Sequence, residues 1–199
     1  MNNLKKSFLV IAFLIVLPFE FAFAAPGVYM KKGDIDVGAT IGLGTGFGGF
    51  PIGAQVEYGV DRNIGVGAYI GYWGYSQDFT GWCAGGGFLG LGTACTMTYN
   101  YTVIPVGVQA QYHFNEVLKI DVDKLDLSAG IILGYWIQSF SVTDAAGNPV
   151  SGYNTGALPS HVGWAGFLQG RYFVTPKVGL KLRLGYGLGY LSLGADYKL

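Results

Sequence analysis

The residues able to do chemistry are few, and their spacing limits what each could do. Cys83 and Cys95 are the only cysteines. Two are too few for a tetrahedral zinc site, so in an exported chain they read as a disulfide. By loop-closure entropy it would be worth roughly 3 kcal/mol. Ser160 precedes His161, and Asp144 falls in the same predicted connection, which supplies a nucleophile, a base and an acid but no fixed geometry. Asp121, Asp123 and Asp126 lack the glycine and closing glutamate of a calcium loop. Gly44-Thr45-Gly46-Phe47-Gly48-Gly49 has the letters of a dinucleotide fingerprint, but a strand follows where a helix is required, so it reads as a glycine-rich turn. No cofactor, metal or catalytic activity is expected.

What must position these residues is visible in the composition. The chain has 34 Gly, 16% aromatic and only 12% charged residues, with a mean hydropathy of +0.38. Beyond residue 24 no apolar run is long enough for a spanning helix, so the hydropathy is dispersed in alternation, and that points to strands. Eight segments alternate with period two: 34–44, 51–60, 64–75, 101–114, 124–138, 161–173, 178–186 and the tail 191–199. Each has one apolar face, such as Ile52, Ala54, Val56, Tyr58 and Val60 in the second, or Leu191, Leu193, Ala195, Tyr197 and Leu199 in the last. The long connections, 76–100 and 139–160, both fall on one side, while Asp61-Arg62-Asn63 and Thr175-Pro176-Lys177 make tight turns on the other. Pro105 forfeits a ladder hydrogen bond, so a bulge or rim position is expected there.

Residues 1–24 have the order of a signal peptide: Lys5 and Lys6, the apolar run from Phe8 to Leu17, and Ala22-Phe23-Ala24 as a small-x-small cleavage site. Residues 25–199 then form one domain of about 175 residues. Removing the leader leaves ten basic and eleven acidic residues, a balance that argues against nucleic acid as partner.

Alternation alone does not say which face looks out, and a soluble lipocalin-like barrel is the rival. Aromatics near the strand ends favour the membrane. Tyr58, Tyr112, Phe114, Tyr172 and Tyr197 would form one interfacial girdle, and Tyr72, Tyr135, Trp164 and Tyr186 the other. The expected fold is an all-β, eight-stranded antiparallel up-and-down transmembrane barrel. Its inward faces collect Asp36, Glu57, Asp126 and Asp196 opposite Arg171, Lys181, Arg183 and Lys198, with Gln55, Gln109, Gln111, His113 and Gln169. Charges of both signs in so narrow a lumen pair into a polar plug. In the outer half Trp73, Trp136 and Phe167 stand among glycines and could frame an apolar pocket.

Over nearly all of residues 25–199 the chain resembles the small eight-stranded outer-membrane barrels, of the OmpA transmembrane domain and OmpX/Ail type. Gly194, Tyr197 and Leu199 resemble the C-terminal signal read by the barrel-assembly machinery, although Leu199 stands where phenylalanine is usual. The resemblance implies a non-catalytic protein of the Gram-negative outer membrane, in contact with its lipid, including lipopolysaccharide. It would act structurally or through long outer loops on a surface ligand or host protein. A looser likeness to OmpW-type barrels implies passage or binding of small hydrophobic molecules. Small-barrel lipid-modifying enzymes place a Ser two residues after a His; His113 is followed by Phe114 and Asn115 and fails that pattern.

Overall fold

The computed structural model describes residues 30–43, 49–83, 93–120, 122–150 and 156–199. Its strands are β1 (Ile35–Leu43), β2 (Ile52–Gly59), β3 (Ile64–Cys83), β4 (Thr93–His113), β5 (Leu125–Asp144), β6 (Gly156–Ala157), β7 (His161–Phe173), β8 (Val178–Tyr186) and β9 (Leu191–Lys198). Eight close into an antiparallel barrel, each paired with its neighbour in sequence, and β9 returns to β1 along a ladder from Asp36↔Lys198 to Leu43↔Leu191. The two-residue β6 adds to the edge of β5. The signal peptide expected over residues 1–24, the loop tip at 84–92 and Asp121 lie outside the described residues.

The apolar faces look outward. Val108, Leu133, Leu168, Leu180 and Leu184 are all more than half exposed, while Asp36, Glu57, Asp126 and Arg171 are fully buried. A soluble barrel would show the reverse, so the outer surface is built for lipid. Tyr58, Tyr112, Tyr172 and Tyr197 ring one end of this belt and Tyr72, Tyr135, Trp164 and Tyr186 the other, all exposed, with the Trp164 and Tyr186 rings 5.8 Å apart.

One expectation is corrected and a second is narrowed. The segments 76–100 and 139–160 are not plain loops. β3 and β4 run for 20 and 21 residues and β5 for 20, about twice the 9–11 residues a spanning strand needs. Their outer halves stay in register, from Trp73↔Val103 to Cys83↔Thr93 and from Met97↔Asp144 to Val103↔Gln138, and stand beyond the barrel as a three-stranded sheet. Its far turn is capped by Asp144, whose carboxylate accepts from the backbone N–H of Asn148 at 2.8 Å and of Ala146 at 2.9 Å. These bonds, the Asn148 backbone first, hold the carboxyl below the usual carboxylate range. Pro105, for its part, sits at no bulge but one residue inside the barrel rim, which the last β2–β3 pair, Ile52↔Tyr72, marks. It faces inward in mid-strand, opposite Trp136 on β5. Pairing with β3 lapses between Ile70↔Val106 and Trp73↔Val103, but the register is the same on both sides, so no residue is inserted. The ring lies over Gly71, whose missing Cβ would sit 3.0 Å from its Cγ.

Candidate functional site

The inward residues arrange themselves in layers. At the end with the short turns Met30 and Phe173 are buried, and Lys198 closes the edge with an ion pair to Asp34 at 2.8 Å. Above them Arg171, on β7, is the centre of a charge cluster. Its Nε donates to Asp126 Oδ2 at 2.8 Å, and its Nη1 donates to Asp36 Oδ2 at 2.9 Å and Glu57 Oε2 at 3.1 Å. The three carboxylates come from β5, β1 and β2, so one guanidinium ties together strands from around the barrel. His113 lies between two of them, Nδ1 2.9 Å from Asp126 Oδ1 and Nε2 2.9 Å from Glu57 Oε1. Lys181 donates to Asp196 Oδ1 at 2.6 Å.

The next layer is Arg183. Its Nη2 donates to Gln55 Oε1 at 2.6 Å and Gln169 Oε1 at 2.8 Å, and its guanidinium lies 3.9 Å from the centroid of Phe167. The interior is not uniformly satisfied: neither amide atom of buried Gln109 finds a partner among the described residues. Over Arg183, Tyr69, Ile132, Trp136, Ala165 and Phe167 pack as an apolar lid, with Val103 and Leu188 against it. Glycines make this fit. A Cβ at Gly163 would meet Trp136 at 2.7 Å, one at Gly130 would meet Phe167 at 2.4 Å, and one at Gly53 would meet the Tyr69 hydroxyl at 2.3 Å.

The expected pocket framed by Trp73, Trp136 and Phe167 is therefore split. Trp136 and Phe167 occupy the glycine-lined space, and the cavity left between Arg183 and the lid is about 20 Å³. That admits about one water molecule. Trp73 shares only a cavity of about 10 Å³ with Trp136 and otherwise lines a groove of about 410 Å³ outside the lid, with Tyr75, Gln77, Tyr101, Thr102, Val103, Gln138, Ser139 and Leu158. The inner face of the outer sheet continues from it as contacting rings: Tyr75 with Tyr101 at 6.2 Å, Tyr101 with Phe140 at 4.8 Å and Phe79 with Tyr99 at 5.1 Å. The opposite face is hydroxyl-rich. Ser76 donates to Asn100 and Thr98 to Asp78, both at 2.7 Å.

Other residues singled out in the sequence are scattered. His161 lies opposite Trp136, whereas Asp144 is eight residues farther along β5 and spent on its own turn. At strand rise that is about 26 Å, so the Ser160/His161/Asp144 set is not assembled. Asp126 points into the barrel and Asp123 is exposed at the end with the short turns. Tyr69, Ile132 and Phe173 are interior residues that the inward set omitted, although their parity was legible: Tyr69 alternates with Gly67 and Gly71, and Ile132 with Gly134 and Trp136.

An antiparallel eight-strand cylinder with a lipid-facing apolar belt and a paired ionic interior defines an outer-membrane β-barrel protein. Its fold is that of the small eight-stranded members of that class. No protein-family profile and no curated protein sequence matches the chain. Among solved structures it is similar to the outer membrane protein OprG from Pseudomonas aeruginosa, at 10% identity over 87% of this chain and 99% of that one, with a TM-score of 0.51. It is also similar to the N-terminal β-barrel domain of Pseudomonas aeruginosa OprF (12% identity, 85% and 100% covered, TM-score 0.49). A third is Ail, the attachment invasion locus protein of Yersinia pestis (13% identity, 85% and 100% covered, TM-score 0.47). At such identities the likeness is one of fold.

Proposed function

We propose that this chain is a non-conducting, non-catalytic barrel of the Gram-negative outer membrane whose working surface is the sheet it raises beyond the lipid. One observation carries the reading: the lumen is filled by the Arg171 and Arg183 layers and the aromatic lid, and the cavities beside that lid measure about 20 and about 10 Å³. In this reading residues 1–24 are a cleaved leader, and Gly194, Tyr197 and Leu199 are read by the assembly machinery. Outer-membrane lipid, including lipopolysaccharide, surrounds the belt, and a surface ligand or host protein meets the sheet; nucleic acid plays no part. A Cys83–Cys95 disulfide staples the outer hairpin. The register brings the two positions within two residues of each other across the hairpin, with Cys83 opposite Thr93 and Cys95 opposite Gly81.

Planar-bilayer recording tests the reading. The purified barrel is expected to give no steady single-channel conductance, and a stable open state would sink the plug. The lipid A mass profile of cells expressing the chain is expected to match that of cells without it. A new species abolished by Ser160→Ala or His161→Ala would show catalysis instead.

A further inference from the structure

The groove beyond the lid differs in chemistry from the rest of the molecule. At about 410 Å³ it falls in the range of small-ligand sites, about 300–1,000 Å³. Trp73 and Val103 form its base, and Tyr75 and Tyr101 a wall in which two rings lie 6.2 Å apart and 26° from parallel. Beside these flat apolar surfaces stand the amides of Gln77 and Gln138, which can both donate and accept hydrogen bonds. The Tyr75 hydroxyl donates to Gln77 Oε1 at 2.7 Å, which fixes the amide oxygen and leaves its NH₂ as the group able to donate to a ligand.

Among the described residues no charged side chain lines the groove. The surroundings extend that rule: there is no Lys or Arg between Asn63 and Leu118, or between Leu125 and Gly170, and Asp78 and Asp144 are the only charges among the described residues of the outer sheet. An anionic ligand would meet no counterion there. A purely apolar ligand would strip water from the amides and hydroxyls without replacing their hydrogen bonds. An uncharged saccharide satisfies both demands, since a pyranose has a C–H face for an aromatic ring and hydroxyls for amides.

We propose that this groove binds an uncharged sugar unit, stacked on the Tyr75–Tyr101 wall and hydrogen-bonded by Gln77 and Gln138. The assignment rests on the outer sheet being the working surface and names its ligand class. The full chain is purified in lauryldimethylamine oxide, a detergent without a sugar headgroup. It is titrated by calorimetry with maltoheptaose, chitohexaose and a mannan oligomer, and with heparin as an anionic probe. Saturable binding of at least one neutral oligosaccharide is expected. It is weakened by about tenfold or more in Tyr101→Ala and in Gln138→Ala, and retained in Thr96→Ala on the opposite face. Tyr101→Phe keeps the ring and most of the affinity, and heat-modifiable electrophoretic mobility reports that each variant is folded. The assignment is overturned if none of the neutral sugars binds at millimolar concentration, if heparin binds more tightly, or if Tyr101→Ala and Gln138→Ala bind as the parent does. Such a result with a barrel that still fails to conduct overturns the sugar alone and leaves the plugged-barrel reading standing.

Discussion

Arg171 shows how a buried charge can be tolerated in a membrane protein: three carboxylates from three other strands accept from one guanidinium. Arg171→Met leaves those carboxylates without their main counterion, and breaking a buried pair on one side costs about 3–5 kcal/mol. Urea unfolding of the micelle-bound barrel is expected to show a loss of that size. Adding Asp126→Asn is expected to recover part of it, because one uncompensated negative charge disappears; a loss due to packing alone would not be recovered. This cluster was legible in the sequence, since period two sends Asp36, Glu57, Asp126 and Arg171 to the same side. The fate of Trp136 and Phe167 was not. Parity says that a ring points inward, but whether it frames a hole or fills one depends on which glycine lies across the ladder, as Gly163 and Gly130 do here.

At the scale of the strands, the outer sheet escaped the sequence reading because its alternation changes sign. Within the lipid belt the outward residues are apolar, as with Ile70 and Tyr72, Ile104 and Val106, or Tyr135 and Ile137. Past that level the outward residues become Ser76, Asp78 and Thr80, or Thr98, Asn100 and Thr102, while the inward ones become Tyr75 and Phe79, or Tyr99 and Tyr101. The backbone pairing is unbroken there, but the solvent outside has turned from hydrocarbon to water. A search for a continuous apolar face stops at that boundary and mistakes half a strand for a loop. Cysteine substitutions locate it. In the assembled protein Thr98→Cys is expected to react with a water-soluble maleimide and Leu182→Cys to resist it; equal labelling would contradict the boundary. The proposed disulfide acts on this element alone. Its reduction is expected to leave heat-modifiable mobility unchanged and to increase protease cleavage within residues 76–100.

For the whole molecule, the topology was the most legible feature. Nearest-neighbour antiparallel pairing follows from eight alternating segments with short turns on one side, and the apolar tail supplies the strand that completes the ring. Tyr197, in the lower girdle with Lys177 Nζ 5.6 Å from its ring centroid, is both an interfacial anchor and part of the proposed assembly signal. Tyr197→Ala combined with Leu199→Ala is expected to lower the folded fraction in isolated outer membranes, whereas Tyr190→Ala, another exposed aromatic, is not. Equal loss in both would remove the signal from consideration.

Asp36 stands on β1, the first strand of the ring, and its partner Arg171 on β7, near the last, so their bond spans the lumen rather than a ladder. Before β9 meets β1 that contact has no stable geometry, and a partly rolled sheet would offer a naked carboxylate to hydrocarbon along with its unpaired backbone. Halfway states are thus penalised twice over, and insertion takes on the character of a latch: the membrane accepts finished cylinders and rejects everything short of one.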